Sequence, residues 1–173
     1  MRICTLFLMV ILLSVQYSYT QSKTKVVIPT DSIYQENIKK SRLYGVYIPR
    51  DIEDAVAKLM DLTDEDARKP LLKVDEGTVA KKLYFGLGRW MEYNWNMEEG
   101  SRFSHYLRKK GLIYTEDMTR FMLITFHRQL TKRPLDTDNL ILEFIKEREK
   151  KIKEAQQKMT IIEETKKIIP KNR

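Results

Sequence analysis

YFGLGRWMEYNWNMEEGSRFSHYLRKKGLIYTEDMTRFMLITFHRQ, residues 84–129, decides the fold of this chain. Both tryptophans, both histidines and five of the six glycines fall between Gly77 and Gln129. Its apolar residues recur at helical spacing, without the strict alternation of a half-buried strand. One helix is expected from about Asp75 to Trp95, with Val79, Leu83, Leu87, Trp90 and Asn94 on one side. Gly86 and Gly88 interrupt it, and each interior glycine costs roughly 1 kcal/mol against alanine. Close approach of another helix accounts for such glycines best; a kink or the approach of a ligand is the sharper reading.

Gly100 and Ser101 open the next helix, which runs to Lys110 with Gly111 at its C-terminal turn. Phe103, Tyr106 and Leu107 are its inward set. Thr115 is placed to cap a third helix, with Glu116 and Asp117 at its positive end. Met118, Phe121, Met122, Phe126 and Leu130 form its core face, and Pro134 closes the region.

Upstream, Asp31 caps a short helix carrying Ile33 and Ile38 that ends near Gly45. A helix with Ile52, Val56, Leu59 and Met60 as its stripe starts around Pro49 and Asp51. Thr63 and the acids Asp64, Glu65 and Asp66 begin another, which Pro70 keeps short. Val26–Ile28 and Tyr44–Ile48 are the only strand candidates. Downstream, a long charged helix carries a 4–3 stripe of Ile141, Ile145, Arg148, Ile152, Ala155, Met159, Ile162, Lys166 and Ile169. Apolar residues fill seven of those nine positions, as in a coiled-coil seam.

The N-terminus reads as an address. Arg2, an apolar run over residues 3–15 and a polar stretch to Gln21 have the layout of a secretory signal peptide cut near Thr20. A bilayer span needs ~20 apolar residues, so an uncleaved anchor is the second choice. The only cysteine, Cys4, lies inside the leader, which leaves the mature chain without disulfides, thiolate ligands or a cysteine nucleophile. Net charge is +8, spread in small clusters such as Arg108/Lys109/Lys110 and interleaved with acids. That pattern lacks the dense stripe of a nucleic-acid binder. The expected fold is all-α: signal peptide 1–20, lead-in with a short helix 21–47, a compact bundle of four or five short helices 48–133, and a long amphipathic C-terminal helix 134–173.

Several motifs stand in series: Phe85-Gly-Leu-Gly-Arg-Trp90, Asn94-Trp95, Gly100-Ser-Arg102, Glu116-Asp-Met118 and His127-Arg128. From about Ile48 to Leu130 the chain resembles an uncharacterised bacterial domain family of Bacteroidetes-type exported proteins. The resemblance implies export and a compact fold, and it implies no reaction. Residues 96–99 (NMEE) replace a more apolar turn of that family. Residues 114–116 (YTE) replace a His-Pro-Asp-like helix start.

Candidate functional groups lie along the same stretch. His105 and His127 are 22 residues apart, which matches no tight metal-ligand spacing, and no cofactor is indicated. Ser101 would need a base such as His127 and an orienting acid such as Asp117. Those two are ten residues apart on one helix, about 15 Å, and cannot pair directly. Ser101 reads better as a helix cap, and His127 as an exposed or interfacial side chain. The aromatics Trp90, Tyr93, Trp95, Phe103 and Tyr106 suit a plain core first and a sugar- or peptide-binding cleft second. Arg102 and Arg128 are the residues best suited to grip a partner carboxylate, with an internal ion pair to Asp117 or Glu98 as the other reading.

The preferred function is a non-enzymatic exported interaction module, periplasmic or secreted. Its binding set is Trp90, Asn94, Trp95, Ser101, Arg102, Asp117, His127 and Arg128, and its partner is a protein before a glycan. A small hydrolase using Glu98/Glu99 with Asp117 or His127 is one alternative. Self-assembly as a homo-oligomer through residues 141–169 is the other.

Overall fold

The computed structural model describes residues 31–168. Expectations about the leader, and about Val26–Ile28, fall outside these residues. In chain order the elements are α1 (Ser32–Asn37), the hairpin β1 (Arg42–Leu43) and β2 (Val46–Tyr47), α2 (Ile52–Leu62) and the single turn α3 (Glu65–Arg68). A 3₁₀ segment (Lys69–Lys73) leads to α4 (Glu76–Leu83), a π segment (Tyr84–Gly88) and α5 (Arg89–Asn94). Then come α6 (Arg102–Lys109), α7 (Thr115–Leu130) and the long α8 (Thr137–Ile168). Among the described residues the fold is all-α apart from the hairpin. Among the described residues no helix is long and apolar enough to cross a membrane.

Helix starts follow their capping chemistry. Asp31, Asp51, Asp64 and Asp75 each accept a hydrogen bond from the backbone N–H three residues on, at 2.7–2.9 Å. Ser101 caps α6 in a reciprocal box with Ser104. Two expectations shift slightly. Pro49 lies upstream of the Asp51 cap rather than in the first turn, and Thr115 is the first helical residue of α7 with Tyr114 as its cap. In α1 the inward residue is Tyr34, fully buried, while Ile33 is exposed.

α7 is the axle of the fold. It packs against α2, α4, the π segment, α5, α6, the 3₁₀ segment and α8. Every residue from Asp117 to Phe126 except Arg120 is buried, and so is His127. A helix enclosed on nearly all sides is apolar nearly all round, and the polar exceptions must find partners. One core joins Ile52, Ala55 and Leu59 of α2, Trp95, Phe103 and Leu107, the α7 residues, and Leu140, Ile141 and Phe144 of α8. Leu43 of the hairpin also contributes, so both flanks of the bundle share its core.

The helix expected over 75–95 is one rod with a π segment at its two glycines. The glycines differ. A Cβ on Gly88 would lie 2.9 Å from the Thr119 methyl of α7, whereas Gly86 faces open space. Close packing therefore explains Gly88 alone. From residue 149 to 162 every side chain of α8 is exposed, including Ile152, Met159 and Ile162.

Candidate functional site

The sequence-predicted residues are dispersed, and most of them hold the fold together. Trp95 is buried and sits edge-on between Trp90 and Phe103, with ring centroids 5.9 and 5.4 Å apart. Asn94 returns its amide to the Trp90 carbonyl at 2.9 Å. Ser101 is fully buried in its cap. Arg102 reaches 54 residues back, donating from Nε to the Ile48 carbonyl at 2.8 Å and stacking over the Tyr47 ring.

Asp117 lies 4 % exposed beneath Arg148, which donates to its two oxygens at 2.6 and 2.7 Å. Arg148 stacks on Tyr114 as well, 4.5 Å from the ring centroid. Its hydrogen bonds to Asp117, set against partial burial, hold the Arg148 guanidinium above its ordinary pKa. The ion-pair partner of Asp117 is thus Arg148, not Arg102 or Arg128. The signal was present in the sequence, because Arg148 is a charged residue in an otherwise apolar stretch of the C-terminal stripe.

At the other end of α7, Arg128 forks onto Glu76 at 3.0 and 3.1 Å and donates to the Leu135 carbonyl at 2.9 Å. Arg133 reaches the same carboxylate at 2.7 Å. The Arg128 hydrogen bond, partly opposed by burial, sets Glu76 below the ordinary carboxylate range. His127 is buried, whereas an exposed or interfacial position is expected from the sequence. Its Nε2 lies 3.1 Å from the Leu71 carbonyl, so Nε2 carries the proton. Its Nδ1, at 3.4 Å from Arg133 Nη2, is then the acceptor. The 3₁₀ segment covers this face of α7, and no helical period forecasts that cover.

Arg108 is a further correction. Its place in the basic cluster with Lys109 and Lys110 suggests a solvated side chain, yet it is 5 % exposed. It donates to the carbonyls of Met97 and Glu98 at 2.9 and 3.1 Å and so pins the 95–100 turn from within. Gly100 fits that turn at φ +117, where a Cβ would collide with the Tyr34 ring.

The turn forms one wall of a groove of about 720 Å³. Leu43, Tyr44 and Val46 of the hairpin face Arg89, Glu92, Tyr93 and Asn94 of α5 and the turn residues Asn96, Glu98 and Glu99. Tyr44 and Tyr93 are 85 and 86 % exposed. Tyr44 and Gly45 both have positive φ, the pattern of a two-residue hairpin loop that favours asparagine, aspartate or glycine at the first position. A bulky residue there is held against its backbone preference. Glu92 is the polar anchor of the α5 wall. It accepts from Arg89 at 2.6 Å and from the Tyr84 hydroxyl at 3.2 Å, and Thr119 Oγ1 lies 2.9 Å away. Burial first, and then the Glu92 charge, push the Tyr84 hydroxyl above its usual pKa.

Neither Asp117 nor His127 lines this groove. The hydrolase set of Glu98/Glu99 with either of them is therefore not assembled there. Sequence reading found Tyr93, Asn94, Glu98 and Glu99. It missed Tyr44, Arg89 and Glu92, which only the fold brings together.

No curated protein and no solved structure matches the chain. A family model described as "Domain of unknown function (DUF6794)" matches residues 48–130. That span runs from the carbonyl gripped by Arg102 to the last residue of the axle helix α7. Residues 48–130 of this chain are thus similar to the DUF6794 family, a domain of unknown function.

Proposed function

We propose that this chain is a non-enzymatic, exported interaction module that binds a protein partner in the groove between the β1–β2 hairpin and α5. The observation that carries this reading is the pair of almost fully exposed tyrosines, Tyr44 and Tyr93, flanking that concavity. Tyrosine supplies a large, rigid, amphipathic contact surface and is enriched where partners meet. Among the described residues neither side chain makes a hydrogen bond, a ring stack or a cation–π contact. Export is supported by the leader-like residues 1–20 and by the cysteine-free remainder. The hydrolase reading has less support, because Asp117 and His127 are engaged elsewhere in the fold, outside the groove that Glu98 and Glu99 line.

Affinity capture tests the proposal. The mature chain and a Tyr44→Ser/Tyr93→Ser variant of equal thermal stability are used as baits on envelope extract. Any captured protein is then purified and tested for direct binding. A partner that binds the wild type directly and loses the variant supports the groove. A directly binding partner that holds both baits equally places recognition elsewhere.

A second reading has its own observation. Ile152, Met159 and Ile162 are exposed at heptad spacing along α8. That arrangement supports self-association through the tail, which sedimentation of the full mature chain would detect.

A further inference from the structure

Resting on the groove reading above, we infer that the groove takes a cationic, lysine- or arginine-bearing segment of its partner. The argument begins with charge. Arg89 is matched by Glu92 within the α5 wall. Glu98 and Glu99 on the turn are exposed, and neither side chain makes a hydrogen bond or ion pair among the described residues. The groove is thus acidic on a chain whose overall charge is +8. An acidic concavity on a basic body selects against anionic partners and steers cations inward.

The aromatic rim supplies the second half of the recognition. A lysine ammonium or arginine guanidinium binds well over a tyrosine face with a carboxylate in reach. Tyr44 and Tyr93 flank the concavity that Glu98 and Glu99 line. The same pairing already operates elsewhere in this molecule. Lys58 and Arg102 both lie over the Tyr47 ring, at 5.7 and 5.1 Å, while Tyr47 donates to Asp54 at 2.7 Å. Tyr44 and Tyr93 have no such cation of their own among the described residues.

Fixed turn geometry makes the site ready-built. Arg108 holds the Met97 and Glu98 carbonyls from inside, and Asn96 donates to the Gly100 carbonyl at 3.0 Å. The two glutamates are therefore carried on a pinned backbone, which reduces the ordering that binding requires.

The test uses the mature chain, ¹⁵N-labelled, titrated with hexalysine, hexaarginine and hexaglutamate at low salt. The cationic peptides should give saturable amide shifts centred on Tyr44, Tyr93 and Asn94, and hexaglutamate should give none. Glu98→Gln/Glu99→Gln should weaken hexalysine about tenfold, in line with two lost charge contacts beside an aromatic face. Glu65→Gln/Asp66→Asn, which neutralises exposed acids on α3, should leave its affinity unchanged. The inference is overturned if cationic peptides shift no groove amide, or if the α3 variant weakens them as much as the groove variant does. A silent hexalysine titration combined with groove-dependent capture of a partner overturns the cationic assignment and leaves the groove itself standing. If capture also ignores the groove, both readings fall together.

Discussion

Severing Arg148 from Asp117 should release the C-terminal helix from the axle of the fold, and the size of the effect can be worked from the geometry. Asp117 is 4 % exposed and accepts two short hydrogen bonds from Arg148, whose side chain is 21 % exposed. Removing one member of a buried pair typically costs about 3–5 kcal/mol, because the other charge is left uncompensated. Asp117 has some compensation in the first turn of α7, where the helix field favours a carboxylate by about 0.3–1 kcal/mol. Loss of stacking on Tyr114 adds about 0.5–1 kcal/mol to the cost. Arg148→Ala should therefore destabilise the protein by about 3 kcal/mol.

Urea unfolding of the wild type, Asp117→Ala, Arg148→Met and the double variant measures the pair directly. The expected coupling energy is about 2 kcal/mol, typical of hydrogen bonds to charged groups. Tryptophan fluorescence and far-ultraviolet circular dichroism should move together. Trp95 reports the core, and α8 shares that core through Leu140, Ile141 and Phe144. A coupling below about 0.5 kcal/mol, the range of an exposed surface pair, would refute the reasoning. So would a fluorescence transition that ignores the Arg148 substitution.

Three further outcomes are expected. Gly86→Ala should stabilise the rod by about 0.5–1 kcal/mol through helix propensity, while Gly88→Ala should cost about 1–2 kcal/mol by crowding Thr119; thermal unfolding of both variants would show shifts of opposite sign. Glu76 is held below its unfolded-state pKa by Arg128, so its contribution is present at neutral pH and disappears as pH falls through the lowered folded value. The stability gap between wild type and Glu76→Gln, measured by urea at pH 7 and pH 3, should accordingly shrink in acid. Ile152→Glu/Met159→Glu should leave thermal stability unchanged, because both side chains are solvent-exposed, and should abolish any dimer seen by sedimentation.

Local chemistry was legible in the sequence, and tertiary cover was not. Asp31, Asp75, Ser101 and Gly111 announced helix ends because a cap needs only its neighbours. The stripe of the long helix was legible to Arg148, and the meaning of that charged misfit was not, since its partner lies 31 residues away on another element. The place of His127 is not legible, because helical spacing predicts one buried face whereas the 3₁₀ segment and α4 enclose α7 from further sides. Arg108 was lost among neighbouring lysines, because charge counting cannot see that backbone carbonyls wait for a donor inside a turn. The groove was half legible: residues 93–99 could be suspected from their own composition. Tyr44 joins them only through a hairpin whose two-residue loop carries no asparagine or aspartate.

The motif residues build the body, and the groove between the hairpin and α5 is the surface proposed for binding. Thermal unfolding of Arg102→Ala, Arg128→Ala, Tyr44→Ser and Tyr93→Ser, run side by side, tests that division most directly. The arginine variants each lose an ordered guanidinium and should melt lower by several degrees, at about 2–4 °C per kcal/mol for a chain of this size. The tyrosine variants should melt with the wild type. Arginine variants that keep the wild-type transition while the tyrosine variants fall would reverse the assignment. They would return Arg102 and Arg128 to the binding surface and make the two tyrosines part of the fold.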